Sequence, residues 1–291
     1  MSQAADLRAR AEDQASPFPS LLVGAEHLAA TVMLGDHGRR RAGMGDEFWQ
    51  YRPIHAGDEA RFVDWRRSAK SDTQFVREKE WQIAQSVLLW VDNAAAMRFR
   101  SDDNLPTKGE RARLLALAIT ILMLRAGERV GLTAFAAPPR SGEPQLMRLA
   151  NLLSDDSSDA DYGAPEARGM VPNSRAVFVS DFMGDMTLVE AALAKAADRG
   201  VKGALLQVLD PQEEAFPFDG RTVFESMTGA VRHETLKAGD LRDRYLQRLA
   251  ERKDRLQAIA RATGWQFQTH HTGDSAQAAL LWLYTAMERV H

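Results

Sequence analysis

The stretch that decides the predicted fold is Val87-Leu88-Leu89-Trp90-Val91-Asp92-Asn93-Ala94-Ala95-Ala96-Met97. Its five consecutive apolar residues are typical of a buried strand in a parallel sheet, and Asp92 directly follows them in a turn of small residues. Open α/β sheets build their binding sites from residues that follow the carboxyl ends of the strands. We therefore expect Asp92 to lie at the edge of an α/β sheet that carries the site.

The remainder of the chain after residue 87 alternates apolar segments with helical ones. Strands are predicted at 129–135, 175–180, 201–209 and 265–269, and helices at 110–126, 143–153, 187–199, 240–263 and 275–290. This order favours a mostly parallel sheet covered by helices on both faces. The segments 154–163 and 211–239 are rich in turn-forming residues and are predicted as surface excursions.

The first 83 residues follow a different pattern. Residues 1–35 combine helix and loop, whereas 47–53 and 73–83 alternate apolar and polar residues as half-exposed strands do. A short helix is predicted between these strands, at 58–67. We therefore divide the chain into an N-terminal helix/loop and β-rich extension, residues 1–83, and an α/β domain, residues 84–291.

Composition excludes several classes of protein. A formal net charge of −3 gives no global attraction to nucleic acid or to anionic membranes. The absence of cysteine excludes disulfides, thiolate zinc sites and cysteine nucleophiles. The longest uncharged apolar stretch, 114–124, is too short for a membrane span, which takes about 20 residues, and the N-terminus does not resemble a signal peptide. We expect a cytoplasmic protein without a membrane span.

A degenerate metal site is one interpretation of Asp92 and of Asp181, which follows the predicted strand 175–180. Metal sites of the D-x-S-x-S type carry hydroxyls two and four residues after the Asp, but this chain has Ala94 and Ala96 there. Two carboxylates at neighbouring strand ends can hold Mg²⁺ together with water molecules. In the other interpretation no cofactor is bound: Asp92 accepts hydrogen bonds from loop backbone amides, and Asp181 caps the turn before Thr187.

One block of the N-terminal region resembles a family signature. It consists of Gly43-Met44-Gly45-Asp46-Glu47-Phe48, Arg52, Gly57-Asp58-Glu59-Ala60-Arg61-Phe62-Val63-Asp64-Trp65 and Ser68-Ala69-Lys70. The block resembles the signature of bacterial proteins catalogued as domain of unknown function 58. Further pieces fit in order: Leu89-Trp90-Val91-Asp92, Gly127-Glu128-Arg129-Val130-Gly131-Leu132, Val179-Ser180-Asp181-Phe182, Asp210-Pro211-Gln212-Glu213-Glu214 and Phe216-Pro217. The resemblance covers roughly residues 35–285.

The resemblance implies a von Willebrand factor A-like α/β domain preceded by a β-rich extension. It also implies a working partnership with AAA+ ATPases of the MoxR type. Many relatives carry membrane-spanning helices before the signature. None is predicted in this sequence, and we do not expect a membrane-associated role to carry over.

The element from Gly57 to Trp65 has two open interpretations. Asp58, Arg61 and Asp64 are three residues apart and can share one helix face, with the Arg paired to the carboxylates. The set can form a clasp between the extension and the main domain, or a docking surface, since Arg and Trp are common at binding hot spots. The residues predicted to contact a partner are Arg52, Asp58, Arg61, Asp64, Trp65, Asn93 and Met97.

Catalytic motifs are absent from the sequence. There is no phosphate-binding loop, no dinucleotide fingerprint, no His-Glu-x-x-His pair and no Gly-x-Ser-x-Gly elbow. The leading hypothesis is a non-enzymatic adaptor or scaffold that works with a MoxR-type ATPase in chaperone-like maturation of another complex. The alternatives are a metal-dependent hydrolase using Asp92 and Asp181, and nucleic-acid binding through Arg39-Arg40-Arg41, which neighbouring acidic residues largely offset.

Overall fold

The computed structural model describes residues 20–35, 48–54, 63–70, 73–79, 84–135, 137–154, 158–166 and 169–288. The helices are α1 (Ser20–Gly35), α2 (Trp65–Ser68), α3 (Lys108–Arg125), α4 (Glu143–Leu153), α5 (Met186–Ala197), α6 (Pro211–Ala215), α7 (Gly239–Thr263) and α8 (Ala276–Glu288). The strands are β1 (Phe48–Pro53), β2 (Phe75–Lys79), β3 (Ser86–Val91), β4 (Arg129–Leu132), β5 (Arg175–Ser180), β6 (Lys202–Leu209), β7 (Thr222–Glu225), β8 (Arg232–Thr235) and β9 (Gln266–His271). None of the helices in these ranges has both the length and the apolar character that crossing a bilayer requires.

A five-stranded parallel sheet lies at the centre of the α/β unit, with strand order β4-β3-β5-β6-β9. The chain leaves β3 for β4 on one side and later returns to place β5 on the other side. The connections therefore diverge between β3 and β5, the position at which open α/β sheets build their binding sites. The predicted α/β class with a mostly parallel sheet is confirmed.

Both faces of the sheet are covered, as the continuous apolar strands predict. Val87 and Leu89 of β3 join one buried cluster with α1, α3, α4 and α8. Leu88 and Trp90 point to the opposite face and join a second cluster with α5 and α7. Because successive strand residues alternate between faces, five apolar residues in a row require two helical layers.

Helix α1 corrects the predicted domain boundary. Its residues Leu22, Ala25 and Ala29 are fully buried in the cluster that contains α3 and α8. One compact unit therefore includes α1 and the chain from Gln85 onward, whereas the second unit lies within residues 37–84. The apolar residues of α1 recur at helical spacing, so the helix needs a partner surface and packs into the α/β core.

The second unit contains the antiparallel pair β1–β2, with Pro53 opposite Phe75 and Gln50 opposite Glu78. These strands lie inside the ranges predicted at 47–53 and 73–83. The helix predicted at 58–67 is wrong at its described start: Val63 lies in a β-bridge, and Asp64 is the extended N-cap of α2, so Asp64 does not lie on a helix face. Residues 55–62 lie outside the described residues.

The excursion at 211–239 has more secondary structure than the sequence analysis predicted. It contains α6 and the β7–β8 hairpin, a separate two-stranded sheet. Four aromatic rings lie between this hairpin and α7: those of Phe216, Phe218, Phe224 and Tyr245. This small aromatic cluster gives the hairpin a core of its own.

The close pairing of β5 and β6 leads to a stability prediction at Gly203. A Cβ atom at this position would overlap the backbone carbonyl oxygen of Ala176, which cannot move without separating the strands. We expect Gly203→Ala to lower the free energy of unfolding by about 2–4 kcal/mol, measured by urea denaturation. The matched control is Gly24→Ala in α1, where the added Cβ lies 3.4 Å from a Leu114 methyl group and helix propensity favours alanine. An unchanged urea midpoint in the Gly203 variant would contradict the register of β5 on β6.

Candidate functional site

Three buried aspartates follow the central strands at the carboxyl edge of the sheet. Asp92 follows β3, Asp181 follows β5 and Asp210 follows β6. The pairing of β3 with β5 confirms the prediction that Asp92 and Asp181 come from neighbouring strands. We call the loops that carry these aspartates, 92–97, 181–185 and 210–213, the carboxyl rim.

Asp92 organises the turn after β3. Its Oδ1 accepts a hydrogen bond from the Ala94 amide at 2.9 Å, and its Oδ2 accepts one from the Ser180 hydroxyl at 2.7 Å. The Gly163 amide also donates to this carboxylate, and a side chain at Gly163 would overlap it. Burial raises the pKa of Asp92, against the opposing effect of these hydrogen bonds. Asp92 therefore joins β3, β5 and the loop at 158–163.

Asp181 is paired with a lysine that the sequence analysis did not identify. Its Oδ2 accepts a hydrogen bond from the Lys108 ammonium at 2.8 Å, and its Oδ1 accepts one from the Met183 amide at 2.9 Å. The same ammonium donates to Glu213 Oε1 at 2.6 Å. Lys108 is only 1 % exposed, so a cation is buried between two carboxylates.

The charge of Lys108 is fixed by this arrangement. Burial disfavours the ammonium form, but the charges of Asp181 and Glu213, together with their hydrogen bonds, outweigh burial and raise the pKa of Lys108 above its usual value. The ring of Phe99 lies below the ammonium, 5.8 Å from its centroid. The lysine is therefore protonated throughout the physiological pH range.

Two helix N-termini position this ion cluster. Lys108 is the first residue of α3, whose capping box pairs Thr107 and Glu110 in both directions, at 3.0 and 2.8 Å. Glu213 belongs to the capping box of α6, in which its Oε2 accepts from the Asp210 amide at 2.9 Å. Both Glu213 oxygens are thus engaged, one by the helix start and one by Lys108.

Asp210 connects α6 to the loop after β3. Its Oδ1 accepts from the Gln212 amide at 2.8 Å, and its Oδ2 accepts from the Ser101 amide at 2.9 Å. Asp210 and Glu213 belong to a piece of the family resemblance, but no role was predicted for either residue. The pattern Asp-Pro-x-Glu, typical of a capped helix start, was the available signal.

The donor set does not fit a divalent cation. The Asp181 oxygen that faces Glu213 is occupied by an ammonium, and each oxygen of Asp92 accepts a hydrogen bond from the protein. Ala94 and Ala96 supply no side-chain oxygen. Mg²⁺ needs about six oxygen ligands, whereas Lys108 satisfies the carboxylates with N–H donors. Asp92 accepts a hydrogen bond from the Ala94 amide of its loop, as the second interpretation expects. The cap expected of Asp181 is wrong, because the Thr187 amide donates to Asp185, and Asp181 accepts from the Met183 amide instead.

A second polar network surrounds the ion cluster. Glu214 pairs with Lys253 of α7 and with His271 at the end of β9. Arg111 of α3 donates to the Thr272 carbonyl at 2.9 Å and lies 2.9 Å from His270 Nε2. Burial and the neighbouring Arg111 lower the pKa of His270 to about 4. These contacts join α3, α6, α7 and β9 behind the carboxyl rim.

Two of the residues predicted to contact a partner lie in the loop after β3. Asn93 is exposed, as a contact residue must be. Met97 is 1 % exposed and belongs to the core cluster shared by α1 and α3. The prediction for Met97 is therefore wrong, because the short 3₁₀ helix at 95–98 turns this side chain into the protein.

The predicted contact residues of the second unit have mixed outcomes. Asp64 caps α2, with its Oδ1 accepting from the Arg67 amide at 3.0 Å. Trp65 is 58 % exposed. Arg52 lies in β1 opposite Val76, and its side chain is not described. Asp58 and Arg61 lie outside the described residues, as does the Arg39-Arg40-Arg41 triplet.

Removing the buried ammonium should destabilise the fold. In Lys108→Met the carboxylates of Asp181 and Glu213 stay buried without a cation, and we expect a loss of about 3–5 kcal/mol in the free energy of unfolding. The matched control adds Asp181→Asn and Glu213→Gln to the same variant and should recover most of that loss. Urea denaturation measures both. A single variant within about 1 kcal/mol of wild type would contradict the ion cluster.

His270 should make the protein sensitive to mild acid. Its folded pKa of about 4 lies below the value of about 6.5 in an unfolded chain, so only the unfolded chain binds a proton between these values. The free energy of unfolding should therefore fall by about 2 kcal/mol when the pH is lowered from above 6.5 to 5. His270→Gln should remove most of this dependence of the unfolding free energy on pH. His233→Gln, at an exposed histidine, is the control and should keep it. Equal slopes in the wild type and the His270 variant would refute this assignment.

Comparison with known proteins places the chain in a family. The sequence model described as "Protein of unknown function DUF58" matches residues 50–255. Uncharacterized proteins of Mycobacterium bovis (strain ATCC BAA-935 / AF2122/97) and of Mycobacterium tuberculosis (strain ATCC 25618 / H37Rv) are each 27 % identical over 252 residues, covering 80 % of this chain and 77 % of theirs.

Two solved structures are similar at 14 % sequence identity, each covering 71 % of this chain and 100 % of its own. One is the conserved hypothetical protein BatB from Bacteroides thetaiotaomicron, with a TM-score of 0.40. The other is an aerotolerance-related membrane protein from Bacteroides fragilis NCTC 9343 with multiple mutations to serines, with a TM-score of 0.39. Because the family model matches more than half of the chain, this protein belongs to the DUF58 family of proteins of unknown function.

Proposed function

We propose that this protein is a non-enzymatic adaptor that binds a partner protein at the carboxyl rim without a bridging metal ion. The observation that carries the proposal is the Lys108 ammonium between Asp181 and Glu213. In a metal-dependent binding domain, the bound ion retains an open position for a ligand from the partner. A buried ammonium with both carboxylates engaged offers no such position, so recognition falls to the exposed residues of the rim.

The rim is suited to binding because its loops are held by the fold rather than by a ligand. The Ala95 and Ala96 amides donate to the carbonyls of Ala160 and Asp161 at 2.8 and 3.0 Å, and Arg98 donates to the Ser158 carbonyl at 2.6 Å. Asn93 and Tyr162 are exposed at this edge. A preorganised surface loses little conformational entropy when a partner docks.

The proposed partner is an AAA+ ATPase of the MoxR type, with the pair acting in chaperone-like maturation of another complex. This part of the proposal comes from the family resemblance, since no residue of the rim identifies an ATPase. Trp65 supports a second contact, because a large exposed aromatic side chain beside Arg66 and Arg67 has the composition of a binding hot spot. We place this activity in the cytoplasm, in keeping with the sequence expectation.

A metal-dependent hydrolase receives no support from the site. Such an enzyme would need Asp92 and Asp181 free to bind a metal, but the first accepts from the Ser180 hydroxyl and the second is paired with Lys108. No described histidine lies in contact with either aspartate to act as a base. The adaptor therefore accounts for more of the geometry than the enzyme does.

The test is the affinity of the purified protein for a MoxR-type ATPase from the same cells, measured by biolayer interferometry with Mg²⁺ and ATP present throughout. Asn93→Arg combined with Tyr162→Ala should weaken binding by about tenfold or more. Leu281→Arg, at an exposed position in the middle of α8, is the control and should bind as the wild type does.

Metal independence is tested in the same assay with Asp92→Asn. The asparagine retains an acceptor for the Ala94 amide and removes the charge that a metal would require. We expect its affinity to stay close to that of the wild type. No binding of the ATPase by the wild type would overturn the partner assignment, and binding abolished by Asp92→Asn in a folded variant would overturn metal independence.

A further inference from the structure

Strand β8 is an edge strand with an unusual degree of exposure. It pairs with β7 on one side only, and no other described strand joins this two-stranded sheet. Residues of β7 alternate between partly buried and exposed, whereas Arg232, His233 and Glu234 of β8 are all exposed. The outer edge of β8 therefore presents backbone N–H and C=O groups without a strand partner in the described part of the chain.

The hairpin is fixed at both ends. The ring of Phe224 lies 5.7 Å from that of Phe216 and 5.4 Å from that of Phe218, centroid to centroid. At the turn, the Thr228 hydroxyl donates to the Asp161 carboxylate at 2.6 Å. The edge of β8 is thus presented on a supported element, as β-strand addition requires.

Exposed apolar side chains flank this edge. Leu236 and Val231, at 74 % and 63 %, are the two most exposed large apolar residues in the described ranges, and they lie immediately after and before β8. Val223 and Met227 of the same hairpin are also exposed. The strand itself carries Arg232 and Glu234, and such charges disfavour pairing with an unrelated strand. Exposed apolar residues at both ends of a charged edge therefore favour a partner strand whose charges match.

The backbone pattern determines which residues can pair with a new strand. The Ser226 amide donates to the Val231 carbonyl at 2.8 Å, so the backbone groups of Val231 point toward β7. Because the backbone groups of successive strand residues point in alternate directions, the N–H and C=O groups of Arg232 and Glu234 point away from β7. An antiparallel partner must place its own outward residues opposite these two.

The sequence of β8 is complementary to itself in such a pairing. When two copies align about His233, Arg232 of each copy lies opposite Glu234 of the other. An alignment about Glu234 would instead place two carboxylates opposite each other, which is destabilising. Arg232 makes no ion pair with other described residues, whereas Glu234 is held on the same face by Arg221 at 2.6 Å.

We propose that two copies of this protein associate through antiparallel pairing of their β8 strands, centred on His233, to form a continuous four-stranded sheet. The interface is isologous, with two Arg232–Glu234 pairs related by the two-fold axis. Because two short strands bury less than the roughly 1,200 Å² of a stable interface, the dimer belongs to the transient class. This proposal does not depend on the partner assigned to the carboxyl rim.

The test is sedimentation equilibrium of the full chain over protein concentrations up to about 1 mM. Wild type should show a reversible monomer–dimer equilibrium. Arg232→Glu places Glu opposite Glu, and Glu234→Arg places Arg opposite Arg, so each variant alone should dimerise at least about tenfold more weakly. Mixing the two variants restores both opposite-charge pairs and should recover affinity within about threefold of wild type.

The mixing experiment separates pairing from damage to the hairpin. Arg232→Glu also places a carboxylate opposite Glu225 within its own hairpin, but a hairpin melted by this repulsion would not be rescued by a second variant. Arg248→Glu, at an exposed arginine of α7, is the charge-matched control and should dimerise as wild type does. A wild type that stays monomeric at every concentration, or variants that fail to associate when mixed, would overturn the proposal.

Discussion

The buried ammonium of Lys108 is the interaction on which the carboxyl rim depends. It lies between a carboxylate that follows β5 and one that begins α6, two elements that meet at the end of the central sheet. Burying one charge is strongly unfavourable, but a cation held by two hydrogen-bonded carboxylates compensates for that penalty. The positions of α3, α6 and the loop after β5 are therefore coupled, because moving any one of them leaves a charge unpaired.

This arrangement changes what the α/β architecture can do at its strand ends. A divalent ion in this position would leave coordination positions open to water or to a ligand, and binding would then respond to metal concentration. An ammonium donates N–H groups and coordinates no ligand, and Lys108 directs two of its three N–H groups at carboxylates of its own chain. The site is structurally complete, and the chemistry available to a partner lies in the side chains around it.

Much of the fold could be predicted because its signals are local. Five apolar residues before Asp92 predict a doubly covered strand, and Gly127 and Gly200 mark helix ends through their left-handed backbone conformations. The approach of Asp92 to Asp181 followed from the rule that adjacent parallel strands end at the same edge. These conclusions needed no knowledge of contacts between distant parts of the chain.

The other features of the fold and the site depend on contacts between residues far apart in the chain, which the spacing of residues in the sequence does not reveal. Lys108 and Glu213 are 105 positions apart, and a lysine at a helix start is ordinarily a solvated surface residue. A positive charge at the N-terminus of a helix is unfavourable, and this position of Lys108 was the only local sign that carboxylates from elsewhere in the chain bind its ammonium. Met97 was wrongly placed on the surface because the turn of the 3₁₀ helix cannot be derived from an alanine-rich stretch. Helix α1 packs into the core against α3 and α8, which follow it by many residues in the chain.

The most direct test of the central claim is calorimetric titration of Mg²⁺ and Mn²⁺ into the purified protein, with Asp92→Asn beside it. If the Lys108 ammonium occupies the place of a metal ion, the wild type should give no saturable heat at millimolar ion concentrations, and the variant should behave in the same way. Saturable binding in the micromolar range that is lost in Asp92→Asn would show that the aspartates are free to hold a metal, and would contradict the account.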